Sequence, residues 1–115
     1  MEIEFKSNVI SVLPLDVGIC FFRVLQESLH NAVKYSGAKR VEVQLAEDSN
    51  EVHLIVRDSG RGFDIHEARQ GNGLGLTSMQ ERVRLLSGTI LIESKPMGGT
   101  TIYVRVPFEA QRLAA

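Results

Sequence analysis

The chain has 115 residues, of which 43% are hydrophobic and 23% are charged, a composition typical of one globular domain. A formal net charge of -1 excludes a bulk electrostatic footprint for nucleic acid or for an anionic membrane surface. The single cysteine, Cys20, excludes an internal disulfide and suits a reducing cytoplasm. No apolar run approaches membrane-spanning length, so we expect a soluble, cytoplasmic domain without direct membrane contact, whose parent protein could still be membrane-anchored.

The first elements expected along the chain are a short strand and a long helix. Ile3 and Phe5 alternate with charged residues, which predicts a half-buried strand. Pro14 and Asp16 suit the first turn of a helix, because proline lacks an N–H that would be unsatisfied there and an acidic group complements the helix dipole. This helix is expected to end at Ser36-Gly37, where glycine can adopt the left-handed closing conformation.

The middle of the chain predicts an antiparallel hairpin followed by a long glycine-bearing loop. Apolar residues alternate with polar ones over residues 41–45 and again over 52–56, with turn-forming residues between the two runs. Residues 59–76 then hold five of the ten glycines, and a loop of this length is usually a binding loop, a lid or disordered. We expect its part from Asp64 to Asn72 to be mobile without a ligand, because it offers little apolar surface to bury.

The last third of the chain predicts a second helix and two further strands. The helix is indicated by apolar residues at helical spacing, closed by Ser87-Gly88. These apolar residues are Leu76, Met79, Val83 and Leu86. Alternation at 90–92 and 102–106 predicts strands, and residues 110–115 are expected to be a frayed tail. Helices combined with a mostly antiparallel sheet predict a two-layer α/β sandwich, with the helices covering one face.

The long helix carries three polar groups opposite its expected packing face. The packing face consists of Phe22, Leu25, Leu29, Ala32 and Val33. The polar groups are Glu27, Asn31 and Lys34, and an ordinary solvated face is one interpretation of them. A site is the other, because asparagine is a poor helix former and its side-chain carbonyl could coordinate a hard cation. Glu27 would then orient water, and Lys34 would contact phosphate.

Asp58 ends a predicted strand and opens the run Asp58-Ser59-Gly60-Arg61-Gly62-Phe63. Its carboxylate can accept a hydrogen bond from an exocyclic amine, which would select adenine over bases that lack this donor. The glycines would let a ligand approach the backbone closely. A plain Asp-Ser-Gly turn between two elements is the alternative.

Two further glycine-rich stretches complete the candidate site. Gly71-Asn72-Gly73-Leu74-Gly75-Leu76 leads into the second helix, where backbone N–H groups could bind phosphate oxygens. It is not a P-loop, because no Gly-Lys-Ser/Thr follows, and its spacing is not the dinucleotide fingerprint. Gly98-Gly99-Thr100-Thr101 offers a hydroxyl that could complete a base pocket, although a hairpin turn is an equally good explanation.

Taken in this order, three stretches resemble the motifs of the GHKL ATPase and kinase superfamily. Residues 26–36, Gln-Glu-Ser-Leu-His-Asn-Ala-Val-Lys-Tyr-Ser, resemble its N box, Asp58–Asp64 its first glycine box and Gly71–Leu76 its second. The resemblance runs from about Pro14 to Phe108. It is closest to the catalytic, ATP-binding domain of sensor histidine kinases, in the branch of nitrate sensors and the thermosensor of lipid desaturation. The run Gly73–Val83 and the short segment between Phe63 and Gly73, which would be the lid of the nucleotide site, indicate that branch.

This resemblance implies the Bergerat fold, with Mg-ATP between the long helix and the two glycine boxes. Asn31 would ligate Mg²⁺, Glu27 would orient a metal-bound water or assist proton movement, and Lys34 would contact phosphate. Asp58 would bind the adenine amine, and Thr100 would support adenine through water. The other implied nucleotide residues are Gly60 and Gly62 at the base, and Gly71, Gly73, Leu74, Gly75 and Leu76 at the phosphates. Tyr35 would form a wall of the pocket or serve only in packing.

The resemblance also implies a function that needs a partner. The chain would be part of a larger kinase and would donate the γ-phosphate of ATP to a histidine on a dimerisation helix outside this sequence, for relay to a response regulator. We do not expect His30, His53 or His66 to replace that histidine, so the chain alone should bind ATP without phosphorylating itself. The alternative is a stand-alone relative of the anti-sigma-factor kinases, a regulatory module that phosphorylates serine on an antagonist.

Overall fold

The computed structural model describes residues 1–62 and 75–109, except for the side chains of residues 35 and 36. Its elements in chain order are β1 (Glu2–Ser7), α1 (Leu15–Asn31) with a π-helical turn (Ala32–Ser36), β2 (Arg40–Asp48), β3 (Glu51–Asp58), α2 (Leu76–Leu85), β4 (Thr89–Ser94) and β5 (Thr100–Pro107). Every predicted strand and helix of the described part is therefore present. The expectations for a mobile loop at 64–72 and for a frayed tail at 110–115 fall outside the described residues.

In the described part of the chain, five strands form one sheet in the order β1-β2-β3-β5-β4. Three of its pairings are antiparallel, and β1 pairs with β2 in parallel. The sheet is therefore mostly antiparallel, as predicted. Strands β2 and β3 form the predicted hairpin. Its turn places Asn50 at a φ of 67°, a left-handed conformation that asparagine tolerates better than most residues. Neither described helix has the length and apolar character needed to cross a membrane.

One face of the sheet packs against the helices, and the other carries charged side chains. The buried strand residues on the helix side include Val41, Val43, Val52, Leu54, Val56, Ile102, Val104 and Val106. The helices add Val17, Cys20, Phe21, Val24, Met79 and Val83 to the same core. On the open face, Glu42 approaches Arg57 at 3.8 Å and Glu51 approaches Arg105 at 3.8 Å. This arrangement is the predicted two-layer sandwich with helices on one face.

Helix α1 packs through a different face from the one predicted. Phe22 and Val33 are 61% and 62% exposed, and Leu25 and Leu29 are only partly buried, so among the predicted packing residues only Ala32 is fully buried. The buried residues of α1 itself are Val17, Cys20, Phe21, Val24, Ser28 and Asn31. The prediction was wrong for Phe22 and Val33, whereas Leu25 and Leu29 pack against the edge of the core. The apolar residues of α1 occupy more of its circumference than the sheet buries, and periodicity alone does not decide which part meets the sheet.

The half-buried character predicted for β1 was also wrong. Ile3 and Phe5 lie in register with the core residues Val41 and Val43, yet they are 51% and 57% exposed. Strand β1 is an edge strand of the sheet. The alternating pattern predicted the correct element and the correct face, but it did not show that the helices leave this edge uncovered.

Candidate functional site

The helix-facing side of the sheet ends in a row of polar residues. Asp58, the last residue of β3, is the register partner of Thr100 in β5, and Thr100 is the register partner of Ser94 in β4. Residues directly opposite each other on neighbouring strands share a face of the sheet. The adjacent row on that face is apolar and buried and consists of Val56, Ile102 and Ile92. At this end of the sheet the buried apolar residues are followed by three hydrogen-bonding side chains, Asp58, Thr100 and Ser94, which we call the polar row.

Asp58 takes part in the turn that follows it. Its Oδ1 accepts a hydrogen bond from the backbone N–H of Gly60 at 2.9 Å. This is the Asp-Ser-Gly turn that the sequence offered as an alternative to a base-binding role. The two roles are compatible, because a carboxylate has two oxygens and the turn holds only one of them.

Thr100 and Ser94 form a hydrogen-bonded pair within the row. Thr100 is 7% exposed, and its Oγ1 lies 2.8 Å from Ser94 Oγ. Ser94 Oγ also donates to the carbonyl of Gly99 at 3.1 Å. Sequence reasoning missed Ser94, because only the register of β4 against β5 places it beside Thr100. An alternating strand pattern that ends in a hydroxyl was the only available signal.

The loop after β3, which contains Gly60 and Gly62, is hydrogen-bonded to the turn between β4 and β5. The backbone N–H of Met97 donates to the carbonyl of Arg61. Gly62 has a φ of 65°, and a β-carbon there would overlap the carbonyl oxygen of Lys95 and lie 2.9 Å from that of Gly99. The absence of a side chain at Gly62 is therefore required by the protein's own backbone. A cavity of about 540 Å³ borders this turn and the edge strand β4, but neither Asp58 nor Thr100 lines it.

Glu27 and Gly75 join α1 to the second glycine stretch. Gly75 precedes α2 with a φ of 65°, and a β-carbon there would lie 2.7 Å from Glu27 Oε2. A carboxylate at this position also complements the positive end of the α2 dipole. The next residue, Leu76, is 4% exposed and packs in the core, so any contact of Leu76 with a ligand would come from its backbone N–H.

Glu27 and Asn31 lie one helical turn apart on the same side of α1, but this side is less exposed than the solvated face that the sequence allowed as one interpretation. Asn31 is 8% exposed and its Oδ1 is buried, whereas Lys34 is exposed and Glu27 is partly buried. Two features of α1 explain this correction. The helix turns the side bearing Asn31 inward, and the π-helical turn after it has more residues per turn, so that Lys34 departs from α-helical spacing.

The oxygen donors of this region fit a hard cation in kind. A buried amide oxygen on Asn31 and the carboxylate of Glu27 are both ligand types that Mg²⁺ accepts. No group of three or more His, Cys, Asp or Glu that could hold a metal occurs within residues 1–62 and 75–109. A magnesium ion held by a residue such as Asn31 would keep several of its waters, as this ion commonly does.

Four of the predicted site residues cannot be placed. Gly71, Gly73 and Leu74 lie outside the described residues, as does the side chain of Tyr35. The described site residues belong to two groups, one at the end of the sheet with Asp58 and Thr100, and one between α1 and α2 with Glu27 and Gly75.

Comparison with known proteins identifies the family. The profile described as "Histidine kinase-, DNA gyrase B-, and HSP90-like ATPase" matches residues 17–110. The chain is 38% identical over 98 residues to the signal transduction histidine-protein kinase/phosphatase DegS of Brevibacillus brevis, covering 85% of this chain and 25% of DegS. It is 40% identical over 91 residues to DegS of Bacillus subtilis (strain 168), covering 77% of this chain and 24% of DegS. The chain thus spans about a quarter of the length of these relatives.

A solved structure gives the same result for the fold. The histidine kinase AdeS of Acinetobacter baumannii superposes with a TM-score of 0.76 at 20% identity, over 93% of this chain and 54% of that one. The predicted α/β sandwich of the Bergerat type is thereby confirmed. The family match covers both the long helix and the polar end of the sheet. The chain belongs to the histidine kinase-, DNA gyrase B- and HSP90-like ATPases, and within them it is an ATP-binding domain of the histidine kinase type.

Proposed function

We propose that this domain binds Mg-ATP and presents the γ-phosphate to a histidine on the dimerisation helices of a longer cytoplasmic kinase, which relays it to a response regulator. The observation that carries the proposal is the contact between Glu27 and Gly75. It brings the N box against the start of α2, where the second glycine box ends. Residues 1–115 would form one catalytic domain of that kinase.

The base of the nucleotide would lie at the polar row. Asp58 offers an oxygen that the turn does not use, and Thr100 offers a buried hydroxyl directly across the strand pair. An adenine amine has the donor that these acceptors require. Gly60 would let the adjacent loop lie close to the base, and Gly62 would hold that loop beside the base through its close packing on the backbone of Lys95 and Gly99.

The phosphates would lie between α1 and the start of α2. Asn31 would hold Mg²⁺ through its amide oxygen, and the bound ion would neutralise charge on the phosphates. Glu27 would orient water or move a proton, and Lys34 would contact a phosphate oxygen. Gly71, Gly73, Leu74, Gly75 and Leu76 would offer backbone N–H groups, and Tyr35 would form a wall of the pocket. Phosphoryl transfer depends mainly on such positioning and charge neutralisation.

The two described histidines, His53 and His30, support an acceptor elsewhere, while the prediction for His66 lies outside the described residues. His53 Nδ1 lies 2.6 Å from the hydroxyl of Tyr103, and both residues alternate with core residues on the open face of the sheet, away from the polar row. His30 is an exposed residue of α1. General proton transfer requires groups within hydrogen-bond reach, which His53 cannot achieve across the sheet.

The anti-sigma-factor type of kinase is the second candidate. It would use the same nucleotide site and differ in the residue that is phosphorylated. Identity of 38% and 40% to DegS favours the histidine kinase reading.

The phosphorylated residue tests the choice. The full-length protein that contains this chain would be incubated with Mg-ATP and analysed by mass spectrometry under neutral conditions. We expect an acid-labile phosphohistidine outside residues 1–115, reduced in a Glu27→Gln variant more than ATP binding is reduced. Acid-stable phosphoserine on a separate protein would overturn the histidine kinase proposal and leave the nucleotide site in place.

A further inference from the structure

We propose that Ser94 is a positioning residue that commits the hydroxyl of Thr100 to accepting hydrogen bonds, and that it thereby adds to the selection of an amino-bearing base. The inference rests on the proposed function, because it assumes that the base lies at the polar row. It concerns a residue of the edge strand β4 that contributes no role to the site as described so far.

The direction of two hydrogen bonds follows from the number of protons. Ser94 Oγ donates to the carbonyl of Gly99 at 3.1 Å. A hydroxyl carries one hydrogen, so Ser94 cannot also donate to Thr100. The 2.8 Å contact between the two hydroxyl oxygens therefore requires Thr100 to donate to Ser94.

The Gly99 carbonyl that sets this direction is held in place. Gly99 has a φ of 75°, and a β-carbon there would lie 2.5 Å from the carbonyl oxygen of Asp58. A side chain at Gly99 is therefore excluded by the backbone of Asp58. The turn that carries Gly99 is held by the backbone N–H of Gly98, which donates to the carbonyl of Lys95 at 2.9 Å, and by that of Met97, which donates to the carbonyl of Arg61. These bonds keep the Gly99 acceptor beside Ser94.

Once its hydrogen is committed, Thr100 can only accept. Its register partner on β3, Asp58, is also an acceptor when ionised. Two acceptors side by side match the amine of adenine, directly or through a bridging water. A base with a carbonyl at that position would meet no donor in the row, and leaving polar groups unpaired is costly.

Inosine triphosphate tests the inference, because it carries a carbonyl where ATP carries the amine. Calorimetry would compare both nucleotides, with Mg²⁺, on the 115-residue chain. In Ser94→Ala the Thr100 hydrogen is released and can point to the carbonyl, so we expect the preference for ATP over the inosine nucleotide to fall about fivefold, the size of one neutral hydrogen bond. Ser94→Thr keeps the hydroxyl and should keep the preference. Ser59→Ala removes an exposed hydroxyl on the neighbouring loop and serves as the matched control.

A second variant separates positioning from folding. Thr100→Val removes the group on which Ser94 acts, so adding Ser94→Ala to Thr100→Val should change the ratio no further. The inference is overturned if Ser94→Ala leaves the ratio of the affinities for ATP and inosine triphosphate unchanged. This includes the case in which Ser94→Ala weakens the binding of both nucleotides equally. In either case ATP binding by the parent is unaffected. If the parent binds neither nucleotide, the proposed function itself fails and the inference falls with it.

Discussion

Glu27 Oε2 lies 2.7 Å from the point where a β-carbon would stand on Gly75. The first residue belongs to the middle of α1 and the second to the turn before α2, so the Glu27 side chain occupies the space that a side chain on residue 75 would need. Gly75 combines this proximity with a φ of 65°, a conformation that residues with a side chain rarely adopt. Two separate physical reasons thus require glycine at this position.

The first prediction concerns Gly75. Gly75→Ala should destabilise the domain by about 1–3 kcal/mol, because alanine is strained at positive φ and its methyl group would press on the Glu27 carboxylate. Urea denaturation followed by circular dichroism measures the change. In the double variant Gly75→Ala/Glu27→Ala, the part of the stability loss that is due to contact with the Glu27 carboxylate should be recovered. The part that is due to the positive φ should remain.

Gly18→Ala is the matched control. It lies inside α1, and a β-carbon there would meet nothing within 4 Å. Because glycine is unfavourable within a helix, this variant should be more stable than the parent by roughly 0.5–1 kcal/mol. Equal effects of the two substitutions would contradict the role given to the Glu27 contact.

The second prediction concerns base selection. Asp58→Asn should weaken ATP binding by about 1.5–3 kcal/mol, because the charged acceptor is lost. The asparagine carbonyl can still accept from Gly60 N–H, so the turn should persist and stability should change little. Calorimetry with ATP and GTP measures the effect, with the exposed Asp48→Asn as control. Equal affinity of the parent for ATP and GTP would remove Asp58 from the base site.

The elements of the fold were predictable from the sequence, while the orientation of α1 was not. The predicted alternation of buried and exposed residues is observed in β2, β3 and β5, because one face of the sheet is buried and the other is solvated. In α1, however, Phe22 and Phe21 offer competing apolar sides, and the sheet buries the side with Phe21. That choice depends on how all the core residues fit together, and a local pattern does not contain it.

The candidate site shows the same division. The glycine boxes and Asp58 were found because each is contiguous in the sequence. Ser94 was missed because its partner Thr100 lies across a strand pair, and only the register brings their hydroxyls together.

The third prediction concerns the metal. Asn31→Ala should uncouple Mg²⁺ from ATP binding, because the buried amide oxygen is the proposed protein ligand. Calorimetry with and without Mg²⁺ should show that the ion tightens ATP binding to the parent and has no such effect on the variant. Gln26→Ala, exposed on the same helix, should behave as the parent does. An unchanged magnesium dependence in Asn31→Ala would exclude Asn31 from the metal site.

The last prediction concerns pH and a residue outside the site. Glu47 accepts hydrogen bonds from Ser11 Oγ at 2.6 Å and from the backbone N–H groups of Ser11 and Ile10 at 3.0 and 3.2 Å. These bonds, the Ser11 hydroxyl first, hold the pKa of the Glu47 carboxyl below its ordinary value of 4.5. A carboxyl whose pKa is lower in the folded state stabilises that state above the unfolded pKa and stops doing so as the pH falls through the folded pKa.

Glu47→Gln should therefore lower the urea midpoint at pH 7, and the difference from the parent should shrink as the pH falls below 4.5, the ordinary value for this carboxyl. The residual difference at low pH reports the neutral hydrogen bonds, which a glutamine amide makes only in part. Glu81→Gln, which removes the charge of an exposed carboxylate on α2, is the matched control. A gap between Glu47→Gln and the parent that stays constant from pH 7 to pH 3 would mean that the charge of Glu47 does not hold the segment before α1 against β2.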